Sequence, residues 1–260
     1  MNILDFIHFK LETILFTFFR VSGLFLTGPL FAQQGIPHHL KLMLALTIAM
    51  VLSPVVATNG FAVPENLIDV VVLAVREFMV GLLIGFVFMS LFVGVQMAGA
   101  FIGFQMGFAI VNVIDPVTSQ QVSILAQFKF IMAMLIFFIL NGHHMMLQAL
   151  ASSYKLVPLG ESVFRFAVYT EIARLITGIF VIAIKLAAPV MATLVLTDVG
   201  LGVISRTVPQ MNIFIVGFPM KIALGLFFTA AALPIFGYVF RKALMIINDE
   251  SYNLISYLAR

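Results

Sequence analysis

"GVQMAGAFIGFQMGFAIVNVIDP", Gly94–Pro116, overlaps the longest uncharged run of the chain, Phe78–Ile114. A run this apolar reads as membrane-buried, yet it carries glycines, two glutamines and an asparagine where lipid would favour leucine. On a helix turning 100° per residue, Gly99, Gly103 and Gly107 form one small-residue stripe with Gln96 beside it, while Gly94, Ala98 and Gln105 share the other side. Small or polar residues on two faces gain little from lipid, but they let neighbouring backbones approach closely. A tightly packed pair of transmembrane helices is the simplest explanation. Length points further, because the 37 uncharged residues as one helix would extend ~55 Å against a hydrocarbon core of ~30 Å. The segment is therefore expected to break, fold back or project beyond the bilayer.

The whole chain supports that reading. Of its 260 residues, 62% are hydrophobic and only 10% charged, and mean hydropathy is +1.16, whereas soluble domains carry about 25% charged residues. This is the composition of an integral membrane protein, with room for roughly six or seven spans of ~20 residues and no separate soluble domain. Fourteen basic and eleven acidic residues give a net charge of +3, scattered without the dense basic block that nucleic-acid binding needs. There is no cysteine, which removes disulfides, thiolate metal sites and cysteine nucleophiles. The first residues, "MNILDFIHFKLETILFTFF", place Asp5 and Glu12 ahead of the apolar run where a signal peptide would be basic, so a retained first helix is expected.

Apolar segments fall at about 13–33, 42–58, 67–95, 96–114, 126–150, 172–197 and 207–240. Pro, Gly and Asn cluster between them at 33–41, 57–66, 112–121 and 154–165. Long continuous segments without ten-residue alternation predict helices and not a β-barrel. Loop charges are sparse and lean towards a cytoplasmic carboxyl terminus.

Charges inside the apolar segments carry the same message as the glycines. Arg20, Lys185 and Lys221 each lie within a long apolar stretch, where a bare cation costs ~2.5–3.5 kcal/mol at a bilayer centre. Glu77 and Asp198 are the best candidate acidic partners; snorkelling of single side chains to a helix end is the alternative. In "LTDVGLGVISRTVPQMNIFIVGFPMK" (196–221), Pro209 ends helical geometry, and the stretch reads as a helical hairpin with an Asp198–Arg206 ion pair across the connection or two solvated loop charges.

Candidate chemistry is thin. His38–His39 and His143–His144 are adjacent, so their side chains diverge by about 100° and do not converge as i,i+4 ligands do. Neither a metal-binding HExxH nor a phosphate-cradling GxxxxGK occurs. Ser162 in "GESV" lies in a charged, loop-like stretch. No catalytic residue, metal or cofactor is expected.

The runs "RVSGLFLTGPLF" (20–31), "QMAGAFIGFQMGF" (96–108) followed by "DP" (115–116), "NGHHMML" (141–147), "PLG" (158–160) and "DVGLGVISRTVPQMNIFIVGFPMK" (198–221) together resemble the FliR family, the R subunit of the flagellar type III export gate, whose injectisome homologues share its architecture. The resemblance covers nearly the whole chain, with several motifs in the same order. It implies an all-α integral membrane protein with bent and broken helices packed in a helical hetero-oligomeric export gate. Residues 1–170 would be akin to the P subunit, 171–240 to the helical hairpin of the Q subunit, and 241–260 a tail, all within one membrane domain. Implied partners are FliP-like and FliQ-like subunits, FlhB-like and FlhA-like export components, and unfolded flagellar substrates. The implied place is the inner membrane at the flagellar basal body, partly above the bilayer on the periplasmic side. The resemblance also implies that a loop at Phe104–Pro116 helps plug the export channel. Gln105, Gly107, Asn112, Asp115 and Pro116 would shape it, Phe108, Ile110 and Val111 would close it, and Met106 would be an adaptable contact. Packing of Phe108 and Met106 between helices is the alternative. A stand-alone secondary transporter or channel with an intramembrane charged site is the competing function, favoured by broken helices and buried charges. A scaffold without a pore is a third.

Overall fold

The computed structural model describes residues 3–32, 35–56, 64–108, 123–162, 166–210 and 212–259. Among them lie eight helices and no strand: α1 (Ile3–Thr27), α2 (His38–Val56), α3 (Leu67–Gln105), α4 (Ile124–Ile139), α5 (Gly142–Leu156), α6 (Phe166–Thr207), α7 (Ile213–Ala231) and α8 (Leu233–Ala259). Two of them, α3 and α6, are long and apolar enough to cross a membrane alone. The pairs α4–α5, bent by 68°, and α7–α8, bent by 56°, raise the number of candidate spans to four.

Segment lengths depart from the sequence reading in an instructive way. The expected separation of 67–95 from 96–114 does not occur; α3 runs unbroken for 39 residues, or ~58 Å. Its glycines permit close neighbours without interrupting the i→i−4 ladder, because a helical glycine keeps its N–H. The helix therefore outruns a ~30 Å hydrocarbon core and must tilt or project. Likewise 172–197 grows into the 42-residue α6. Conversely, 126–150 divides at Leu140–Asn141, where Asn141 adopts a left-handed conformation (φ 56°) tolerated by its short polar side chain. The run 207–240 divides at Ala232.

The chain forms two compact units. The first comprises residues 1–90, 141–176 and 244–260, and its centre is the crossing of α1 and α3. A Cβ added at Gly23 would lie 2.1 Å from the Phe78 carbonyl oxygen, one at Gly81 1.8 Å from that of Arg20, and one at Gly85 2.2 Å from Thr27 Oγ1. Backbones touch here because no side chain separates them. Thr27 Oγ1 donates across the crossing to the Leu82 carbonyl at 2.9 Å. Val21, Leu24, Val80, Ile84 and Val87 bury completely around it. At the surface of this unit Arg174 of α6 bridges Glu171 and Glu250 of α8.

The second unit comprises residues 91–140 and 177–243. Its core is aromatic: the Phe92 ring lies 5.5 Å from Phe130, 5.4 Å from Phe137 and 5.9 Å from Phe240 in tilted or edge-on geometry, the arrangement the ring quadrupole favours. Gly99 brings α3 against the backbone of α4, where an added Cβ would meet Ala126 Cα at 2.5 Å. At Gly103 the neighbour is Ser123 Oγ, 2.8 Å from the same hypothetical carbon. Lys129 of α4 is buried with its ammonium 5.0 Å from the centre of the Phe236 ring, a cation–π contact.

Candidate functional site

The end of α3 is the first element of the site. Gly107 has φ +90°, a conformation that favours glycine, and it closes the helix with two reversed hydrogen bonds. The N–H of Phe108 donates to the Gly103 carbonyl and that of Gly107 to the Phe104 carbonyl, both at 3.0 Å. This is a Schellman cap, with the Phe108 ring 3.9 Å from the carbon a side chain at Gly103 would begin with. The cap thus fixes the path of the chain as far as Phe108.

Residues of α7 hold that turn. Met106 is fully buried, and its Sδ lies 2.7 Å from where a Cβ of Gly225 would stand. Gly107 rests beneath the Phe218 ring, with 2.7 Å to a hypothetical Cβ. Met106 therefore takes the interhelix packing position, whereas Phe104 is 72% exposed and Phe108 half-buried. Ile110, Val111, Asn112, Asp115 and Pro116 lie outside the described residues.

Charge completes the site. Asp198 of α6 accepts from Gln105 Nε2 at 2.8 Å through Oδ2. Lys221 Nζ of α7 reaches both its oxygens, at 2.8 Å and 3.1 Å. The ion pair is partly shielded, with 16% of the lysine and 41% of the aspartate side chain exposed. The Asp198–Arg206 pair, one of the two alternatives the sequence offered, does not form. Because α6 continues to Thr207, Asp198 and Arg206 stand ~12 Å apart along one helix. The chain turns at Pro209 and Gln210 between α6 and α7, and Asp198 and Lys221 lie about equally far from that turn, hence level across the hairpin. Lys185, expected among the buried charges, is exposed, and so is Arg206, as the solvated-charge alternative had it. Among the described residues neither joins an ion pair.

Arg20 lies in the other unit and is the largest fully buried side chain there and in the described protein. Its Nε donates to Glu77 Oε2 at 2.7 Å, and Nη1 donates to Ser153 Oγ and the Val157 carbonyl, each at 3.0 Å. Nη2 lies 2.7 Å from the same Glu77 oxygen as an ion-pair contact outside hydrogen-bond angles. Glu77 Oε1 accepts from the Gly160 N–H at 3.1 Å, and the Tyr154 ring covers the guanidinium at 4.2 Å. Both charges have 0% exposure, and each finds its counter-charge within the chain. The network joins α1, α3, α5 and the "PLG" turn.

Three features escaped the sequence reading. Gly81 and Gly85 form a small-xxx-small pair, a signal present in the sequence. Gly23 is their partner on α1. Lys129 sits one turn inside the predicted start of its segment and looks like an end residue free to snorkel, but it is buried.

The arrangement holds helices and fixes a turn. Among the described residues no group of three or more His, Asp or Glu is placed to bind a metal.

Comparison with known proteins assigns the chain. The family model described as bacterial export proteins, family 1, matches residues 11–246. The flagellar biosynthetic protein FliR of Bacillus subtilis (strain 168) is 34% identical over 248 residues, covering 93% of this chain and 94% of that protein. FliR of Escherichia coli (strain K12) is 28% identical, covering 83% and 82% respectively. The surface presentation of antigens protein SpaR of Shigella flexneri is 30% identical, covering 85% of each. With its motifs in order, its glycine-packed helices and a match along nearly its whole length, this chain belongs to the FliR family of bacterial export proteins.

Proposed function

We propose that this chain is one subunit of the flagellar type III export gate, assembled with FliP-like and FliQ-like subunits in the inner membrane, through which unfolded flagellar proteins pass. The match to FliR proteins along nearly the full length carries this reading. Division into a P-like part, 1–170, a Q-like hairpin, 171–240, and a tail, 241–260, belongs to the same proposal, as does contact with FlhB-like and FlhA-like components. So does a location at the basal body with part of the assembly on the periplasmic side.

In this reading the region from Phe104 to Pro116 closes the conduit. The Schellman cap at Gly107 sets the direction in which the chain leaves α3, and exposed Phe104 and half-buried Phe108 stand at its root. A constriction lined by apolar side chains stops ions and water by dewetting, and an extended polypeptide can displace it. The chain performs no bond chemistry; energy for transport comes from other components. α3 and α6, longer than a bilayer is thick, pack against partner helices where they leave lipid.

Deleting residues 109–116 while the complex still assembles is expected to raise the leak of small ions across the membrane. Ion flux in vesicles carrying the assembled complex measures this. A membrane as tight as the parent's would assign closure to other subunits.

A further inference from the structure

We infer that Gln105, Asp198 and Lys221 form a releasable latch that holds the end of α3 on the α6–α7 hairpin and thereby sets how tightly the conduit is sealed; this rests on the reading of the α3 end as part of the closure. Three contacts pin the cap turn: Met106 on Gly225, Gly107 under Phe218, and Gln105 on Asp198. The first two are apolar and depend on shape. The third is a hydrogen bond to a carboxylate, stronger than one between neutral groups, and it alone involves a side chain of α3 held by a charge.

The way Asp198 is compensated makes the bond releasable. Lys221 contacts both carboxylate oxygens, so withdrawal of Gln105 leaves the aspartate still paired. Only one bond is lost, and no bare charge is created near the membrane. The Gln105 amide, on the last residue of α3, can then turn to water or to a passing backbone. Arg20–Glu77 lacks this property, since both groups are fully buried and removing either strands the other. Gln105, Asp198 and Lys221 are thus positioning residues: they act on the conduit through the turn Met106–Phe108.

The test uses the complex assembled with its partner subunits in membranes, with native mass to establish assembly and ion flux to measure the seal. Gln105→Ala removes the bond alone and is expected to raise flux about tenfold, the factor set by losing one hydrogen bond to a charged group. Gln105→Glu sets two carboxylates together and is expected to leak more. Combining Gln105→Glu with Asp198→Asn returns one carboxylate to the cluster, keeps a donor and acceptor in contact and leaves a negative group for Lys221, so a tight membrane is expected again. That rescue is not expected of residues that merely fill space. If Gln105→Glu impairs assembly, Gln105→Ala decides. Deletion of residues 109–116 is the positive control for leak. Single variants as tight as the parent beside a leaking deletion would overturn the latch and leave the proposed function standing. A double variant as leaky as Gln105→Glu would also overturn it. A tight deletion would overturn the closure reading, and the latch with it.

Discussion

Glu77→Ala is expected to destabilise the protein by about 3–5 kcal/mol, the cost of stranding one member of a buried ion pair. Arg20 has no exposure, and its remaining partners, Ser153 Oγ and the Val157 carbonyl, are neutral. The Tyr154 ring offers only a partial counter-charge. The same substitution deprives the Gly160 N–H of its acceptor, and so loosens the "PLG" turn from α3. Since native proteins are stable by only about 5–15 kcal/mol, this is a large part of the whole margin. Thermal unfolding in detergent and the yield of folded chain measure the effect. The double variant Arg20→Met with Glu77→Leu removes both charges and should retain much more stability than Glu77→Ala, because apolar replacement of a whole buried pair is often neutral or stabilising. A Glu77→Ala protein within about 1 kcal/mol of the parent would mean that water reaches Arg20, contrary to its burial.

Gly81→Ala is expected to be nearly as damaging through a different cause. The new methyl carbon would stand 1.8 Å from the Arg20 carbonyl oxygen and 3.0 Å from the Leu24 nitrogen. These are backbone atoms of a helix and cannot swing aside, so α1 and α3 must separate. Overpacking costs typically about 1–3 kcal/mol and more where backbone has to move, and the Thr27–Leu82 hydrogen bond would be lost with it. Gly178→Ala is the control, because no atom outside its own stretch of helix lies within 4 Å of a carbon added there; as a helical glycine in open space, its replacement should leave the chain's own stability unchanged or raise it by up to about 1 kcal/mol. Unfolding of the two variants side by side measures the contrast. Equal stability would contradict the close backbone crossing.

Some of this structure was legible in the residues. A cation in an apolar segment demands a partner, and Glu77 and Asp198 were the acids available; the structure pairs them with Arg20 and Lys221. The turn at Pro209 was legible because proline cannot donate to a continuing helix. Which cation meets Asp198 was not. That depended on how far α6 runs before the turn, and Gly200 and Gly202, read as part of the connection, lie within the helix with open space around them. The continuity of α3 was hidden for a related reason: a glycine stripe marks close approach but does not say whether the helix continues. Lys185 shows the limit of charge arithmetic, for its position within an apolar run did not reveal that it lies on the exposed side of α6. The α1–α3 crossing was the clearest missed signal, because Gly81 and Gly85 had the required spacing.

A chain that works as one subunit of a larger gate should change its native mass in detergent according to whether it is expressed with FliP-like and FliQ-like subunits. One copy of this chain in a large hetero-oligomer is expected when the partners are present, and no stable homo-oligomer when they are absent. A stable complex of this chain alone, unchanged by the partners, would contradict it and favour a self-contained transporter.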